Sequence, residues 1–192
     1  MWPWEHAAVG YLAYSLGLRA LGREPPSDAS AVVLAVGTQL PDLVDKPLSW
    51  QFDVFPSGYA AGHSLFVAVP LGLLALAVGE RRDRLGVAAA FVVGYWSHLL
   101  ADVVDPLRRG SSVLVGRVLW PVSRPSPYEQ DYGISRGVVY IERFLAELQA
   151  MPLSAVLIVY LSLPLVTLVV WVLDGSPGLP RPSDFVAVVR RF

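Results

Sequence analysis

Apolar residues along this chain gather into five runs, each bounded by charged, proline-containing or glycine-containing stretches. They cover roughly His6–Gly22, Ala29–Asp45, Gly62–Gly79, Leu85–Val104 and Pro152–Leu173. Each is about 17–22 residues long, close to the ~20 that an α-helix needs to cross the hydrocarbon core. The pattern predicts an all-α fold: a polytopic membrane helical bundle of about five transmembrane helices. The first run is short and carries Arg19 near its end, where a long side chain can reach headgroup level. Pro25-Pro26-Ser27-Asp28 reads as a turn and helix start before the second run. The fifth run holds no charge and is the cleanest span.

The connections carry their own signals. Lys46–Ala61 mixes prolines with Trp50, Phe52, Phe55 and Tyr59, a composition suited to the headgroup level. In the long fourth connection, Asp105–Met151, the stretch Arg136–Ala150 repeats Val138, Ile141, Leu145 and Leu148 on one helical face. An amphipathic helix is expected there, lying on the membrane surface or covering a site. Residues 1–173 read as a single membrane-embedded domain. Residues 174–192, with Pro177, Pro180 and Pro182 ahead of Arg190 and Arg191, read as a loosely held C-terminal tail.

Composition agrees with a lipid environment. Hydrophobic residues make up 54% of the 192 and charged residues only 16%, against about 25% charged in soluble domains. A net charge of −1 argues against nucleic acid as a partner. The absence of cysteine excludes disulfides, thiolate nucleophiles and Cys-ligated zinc. The opening Met-Trp-Pro-Trp-Glu-His has no basic n-region, so no signal peptide is expected.

The chemistry lies in the placement of three histidines. His6 opens the first run, His63 the third, and His98 lies near the end of the fourth, one helical turn before Asp102. Asp42 and Asp45 close the second. If successive helices cross in opposite directions, all six residues arrive at the same membrane face. His98 and Asp102, four apart, share a helix face and can reach one ion, and Asp42 and Asp45, three apart, can do likewise. Imidazole with carboxylate suits zinc, manganese or iron. Carboxylates within apolar runs are costly and usually functional. These residues therefore predict a site for a divalent metal, Zn2+ first and Mn2+ second, with one or two ions. The opposite face holds Arg19, Arg23 and the Arg81-Arg82-Arg84 cluster, which the positive-inside rule assigns to the cytoplasm. The expected location is the cell membrane, with the metal site on its outer face. Arg108 and Arg109 are candidates for attracting an anionic substrate or lipid headgroups.

The order His6, Leu-Pro-Asp42 with Asp45, His63-Ser64, Gly94-Tyr95-Trp96-Ser97-His98-Leu99-Leu100-Ala101-Asp102 and Leu119-Trp120-Pro121 resembles the membrane-bound metal-dependent hydrolase family, whose familiar bacterial member is a LexA-regulated inner-membrane protein. The resemblance covers about residues 6–121. A more distant similarity runs to zinc-dependent phospholipase C. These likenesses imply His6, Asp42, His63, His98 and Asp102 as metal ligands and an activity on a phosphoester or lipid-linked substrate through an activated water. Asp45 is expected as general base or bridging ligand. Many members of the resembled family have a basic or Thr residue just before the His-Ser pair, whereas this chain has Tyr59-Ala60-Ala61-Gly62. The extra histidines and the glutamate of a three-zinc centre have no counterpart.

The alternative function is a non-enzymatic membrane protein, either a metal transporter or a metal-stabilised scaffold. A transporter carries polar groups along a path at mid-membrane, whereas here they gather toward one face, which favours the enzyme. A soluble phospholipase-like domain with an unusually apolar core is the third option. Substrate and oligomeric state are left open.

Overall fold

A computed structural model describes residues 1–179. The remainder of the expected tail, residues 180–192 with Pro180, Pro182, Arg190 and Arg191, lies outside the described residues. Every regular element among the described residues is helical. α1 spans Pro3–Ala20, α2 Asp28–Trp50, α3 Leu65–Arg81, α4 Leu85–Val104 and α5 Arg136–Ala150. α6 spans Leu153–Leu173 and contains a π turn at Leu157–Leu161. Short 3₁₀ turns at Asp105–Arg109, Val115–Val118 and Gly133–Ser135 punctuate the long connection.

Local chemistry sets the helix starts. The Glu5 carboxylate reaches back to accept from the Trp2 backbone N–H at 2.8 Å, and Pro3 begins α1 without wasting a donor. Ser27 Oγ accepts from the Ser30 N–H, and Ser64 Oγ from the Phe66 N–H, satisfying orphan donors of α2 and α3. Three boundaries that bear on the histidines and aspartates differ from the hydrophobic runs. α1 starts at Pro3, which places His6 in its first turn. α2 continues through Pro41 and Pro47 to Trp50, so Asp42 and Asp45 lie inside the helix rather than at its close. α3 starts at Leu65, leaving His63 in the turn before it. α4 and α5 occupy the predicted ranges, and α6 begins one residue later than its run.

α4 is the central helix, flanked by α1, α2 and α3, while α6 lies against α1. The closest approach is between α2 and α4. A Cβ on Gly94 would lie 2.5 Å from the Leu34 carbonyl oxygen, and one on Gly37 2.8 Å from that of Phe91. Only the missing side chains let the two backbones touch, as in small-residue contacts between membrane helices. At the far end of α1, the Asp174 carboxylate accepts from Tyr11 Oη at 2.7 Å, from Ser15 Oγ at 2.6 Å and from Arg19, anchoring the end of α6.

The polarity of the bundle is inverted relative to a water-soluble one. His6, His63, His98, Glu5, Thr38 and Asp45 are among its most buried large side chains. Phe66, Leu73 and Leu74 of α3 and Ile158, Leu165, Val169 and Leu173 of α6 face outward. Apolar patches of this extent are not left to water. Two helices are long and apolar enough by composition to cross a membrane, Leu85–Arg108 and Leu153–Leu173. The second turns nearly all of its surface outward.

The amphipathic α5 stretches across one end of the bundle. Its Phe144 ring lies 4.5 Å from Trp2 and 5.2 Å from Tyr160, and its Tyr140 ring meets Trp50 edge-on at 5.8 Å. α5 thereby touches the start of α1, the end of α2 and the start of α6. That is the end at which the histidines and aspartates converge.

Candidate metal centre

The Gly37–Gly94 contact lies about one turn below the site and brings Asp42 on α2 up to His98 and Asp102 on α4. The Thr38 carbonyl of α2 accepts from His98 Nδ1 at 2.6 Å. A carbonyl can only accept, so Nδ1 carries the proton and a neutral His98 presents the Nε2 lone pair to the centre.

His63 is oriented by the same logic from another source. Asp45 is wholly buried, and its two oxygens accept from the backbone N–H groups of Ala60, Gly62 and His63 at 2.7, 2.8 and 3.0 Å. Oδ2 also accepts from His63 Nδ1 at 2.8 Å. Asp45 thus folds the turn before α3 around itself and fixes the tautomer of His63, leaving Nε2 to point inward. Gly62 is required in that turn, because a Cβ there would lie 2.8 Å from the Pro41 carbonyl and 3.1 Å from Asp45 Oδ1.

Four donor residues meet: Asp42, His63, His98 and Asp102, all buried, each offering an atom within 4.8 Å of the others. The two Nε2 atoms are 3.2 Å apart. Asp102 Oδ2 is 3.3 Å from His63 Nε2 and 3.4 Å from His98 Nε2. Asp42 Oδ1 is 3.5 and 3.8 Å from the same atoms. Zinc bonds of about 2.0–2.1 Å to nitrogen and oxygen give a tetrahedron with edges of roughly 3.3–3.4 Å, so four of the five separations fall within about 0.2 Å of that figure. Two imidazole lone pairs facing each other beside two carboxylates also require positive charge between them. The donor set fits one divalent ion. Burial pulls the His63 imidazole down, but Asp102, Asp42 and Asp45 outweigh it and push it up to about 10, the same demand expressed as proton affinity.

The remaining expected residues surround this group. The His6 ring stacks on His98 with centroids 3.7 Å apart, and its Nε2 is 3.4 Å from Asp102 Oδ1. His6 Nδ1 is buried and has no hydrogen-bond partner. His6, expected as a ligand, thus borders the group of four through Asp102. Asp45, expected as general base or bridging ligand, carries four donors on its oxygens. Lys46 pairs with Asp42. Arg108, a candidate for attracting an anion, is bound by Glu5 and Asp105 and so is already neutralised.

Two residues at the site were not among the site residues expected from the sequence. Tyr59 places its ring 4.9 Å from that of His63, and the Arg117 guanidinium lies 4.6 Å from the Tyr59 ring centre. Burial and the Asp102 charge push the Tyr59 phenol well above its ordinary value, against the pull of Arg117, so it remains a hydroxyl. Neither residue belongs to a helical repeat, and no local signal pointed to either.

The chain belongs to the YdjM inner membrane protein family, whose model matches residues 1–175. No curated protein and no solved structure matches it.

Proposed function

We propose that this member of an inner-membrane family is a metal-dependent hydrolase acting on a phosphoester or lipid-linked substrate, with Asp42, His63, His98 and Asp102 holding one divalent ion. The observation that carries the reading is the convergence of two oriented imidazole lone pairs and two carboxylates, at tetrahedral spacing, within a bundle whose outer surface is apolar. A zinc or manganese ion bound there supplies Lewis acidity and brings a water to near-neutral acidity. The chain does the rest. Thr38 and Asp45 hold the two histidines in the donor tautomer. Asp102 turns Oδ2 to the centre and Oδ1 to His6. His6, stacked on His98 with Nε2 3.4 Å from Asp102 Oδ1, is the imidazole beside the centre that the four donors do not use, and so the nearest group for moving a proton.

In this reading all five long helices cross the bilayer, with α5 on the surface over the site. α1 and α6 both run away from the site end, which fits an odd number of crossings. The arginines of the opposite end then lie in the cytoplasm and the site faces outward.

The second reading, a metal-stabilised scaffold, draws support from the number of protein donors. Four are what a closed structural zinc site has, whereas catalytic sites keep a position open. Metal analysis of detergent-purified protein, combined with a panel of phosphomonoester, phosphodiester and phospholipid substrates, separates the two. The hydrolase reading expects one ion per chain, lost in His98→Ala and Asp102→Ala, and turnover that disappears with it. Bound metal with no turnover on any substrate would leave the scaffold. Unchanged metal stoichiometry in both variants would sink the site assignment.

A further inference from the structure

Among the cations closest to the donor group, Lys46 is paired with Asp42, the Met1 ammonium with Asp102 and Asp105, and Arg108 with Glu5 and Asp105. Arg117 differs. One Nη donates to the Asp102 backbone carbonyl at 2.8 Å, and its guanidinium lies over the Tyr59 ring, with no carboxylate partner among the described residues. A guanidinium has five N–H donors, so most of its capacity is unspent.

Its position is imposed by packing. Arg117 sits in the 3₁₀ turn Val115–Val118. The next residue, Val118, is buried against Ala68, Tyr95 and Leu99, and the Leu114 N–H donates to the Val103 carbonyl at 3.0 Å. The turn is thus docked on the end of α4, beside the ligand Asp102. Tyr59 touches both Arg117, whose guanidinium is 4.6 Å from its ring centre, and His63, whose ring is 4.9 Å away. The segment 59–62 around this tyrosine has no basic residue of its own.

Charge balance indicates what Arg117 is for. The nearby cations other than Arg117 are already spent on carboxylates, Lys46 on the donor Asp42 and the Met1 ammonium on the donor Asp102. Arg117, sharing no carboxylate, keeps its charge for an incoming anion and offers the fork geometry that phosphoryl oxygens match.

We infer that Arg117, with the Tyr59 hydroxyl, is the phosphoryl-binding element of this site, placed to hold the non-reacting oxygens of a phosphoester against the metal centre. The inference rests on the metal reading above and specifies the substrate as a phosphoryl anion rather than a neutral ester or amide.

The test is binding to the zinc-loaded, detergent-purified full chain by titration calorimetry, independent of turnover. Two probes are used: inorganic phosphate, and dihexanoylphosphatidic acid below its micellar concentration. Arg117→Gln is expected to weaken both at least tenfold, with zinc content unchanged, and Arg117→Lys to recover part of the loss. Tyr59→Phe is expected to have a smaller effect in the same direction. If Arg117 only caps the last carbonyls of α4, Arg117→Gln will lower the Tm and leave both affinities unchanged, which overturns the inference. Zinc uptake by the wild-type chain with no phosphoryl binding overturns it too, while the metal site stands. Failure to take up zinc removes the metal reading and the anion site with it. A lipid probe bound more than tenfold tighter than phosphate identifies a lipid headgroup as the source, and equal affinities a soluble phosphoester. Either result supports Arg117 once the Gln variant weakens it.

Discussion

Replacing Gly94 by Ala tests whether the α2–α4 contact sets the spacing of the metal donors. The new methyl would lie 2.5 Å from the Leu34 carbonyl oxygen and 3.2 Å from the Thr38 amide nitrogen, where ordinary contact begins at 3.4 Å. Both obstacles are backbone, so neither can swing aside. The helices must part by about 0.9 Å at that level, in an interior that does not yield to small insertions. His98 lies one turn above Gly94 and donates its hydrogen bond to α2 itself, so much of the displacement reaches the His98–Asp42 edge, already the longest of the described edges at 3.8 Å. Metal sites tolerate donor errors of only about 0.2 Å. Zinc affinity should therefore fall by at least tenfold, and overpacking should cost about 1–3 kcal/mol of stability. Competition with a chromophoric chelator measures the first, and thermal unfolding in detergent the second. Gly17→Ala is the control, since nothing lies within 4 Å of a Cβ there. It should bind zinc normally and be neutral or slightly stabilised through helix propensity. A Gly94→Ala protein with wild-type zinc affinity would refute the claim that this contact determines the site.

Asp45→Asn keeps the volume but removes the charge that holds His63 Nδ1–H and offers one acceptor where two accepted. Zinc affinity should drop roughly 10–100-fold although Asp45 itself is not one of the four donors. In the metal-free protein His63 is held above its ordinary value, at about 10, so it is protonated at neutral pH and an incoming cation must displace that proton. Apparent zinc affinity should therefore rise about tenfold per pH unit between pH 7 and 9, with proton release on binding measurable in weakly buffered solution. Asp174, just beyond α6, is under opposing influences: burial raises its carboxyl, while Ser15, Tyr11 and Arg19 together bring it below the ordinary value. A depressed carboxylate stabilises the fold above its unfolded value and loses that contribution as pH falls through the folded one. Asp174→Asn should lower the Tm at pH 7, lose its effect in acid, and leave zinc binding intact, because this contact lies at the far end of α1.

Much of the helical framework is legible in the chain because hydrophobic period is a local property. The amphipathic repeat from Val138 to Leu148 marks α5 at its observed ends, and the charge-free run before Asp174 marks α6. His98 and Asp102 are paired by helix geometry alone, four residues apart on one face. Alternation of helix direction is enough to bring His6, Asp42, His63 and Asp102 to one end.

Other features depend on contacts between distant segments. Asp42 and Asp45 look equivalent in Leu-Pro-Asp-Leu-Val-Asp, but three residues of helix rotate them onto different neighbours. One meets the histidines, and the other is enclosed by the N–H groups of Ala60, Gly62 and His63. The continuation of α2 past Asp45 to Trp50 could not be read, because Pro47 is a residue that normally ends a helix. The site's cation follows the same rule. Arg108 is nearer in sequence to the ligands but is consumed by Glu5, more than a hundred residues away, while Arg117 is brought to Tyr59 by a turn without periodicity. The chain by itself determined which residue types are available and at which end of the bundle they collect, because helix period and membrane thickness act along the sequence. Tertiary structure alone decided which of them are donors, which hold donors in place and which charge is left unpaired, because each of those depends on a partner from another segment.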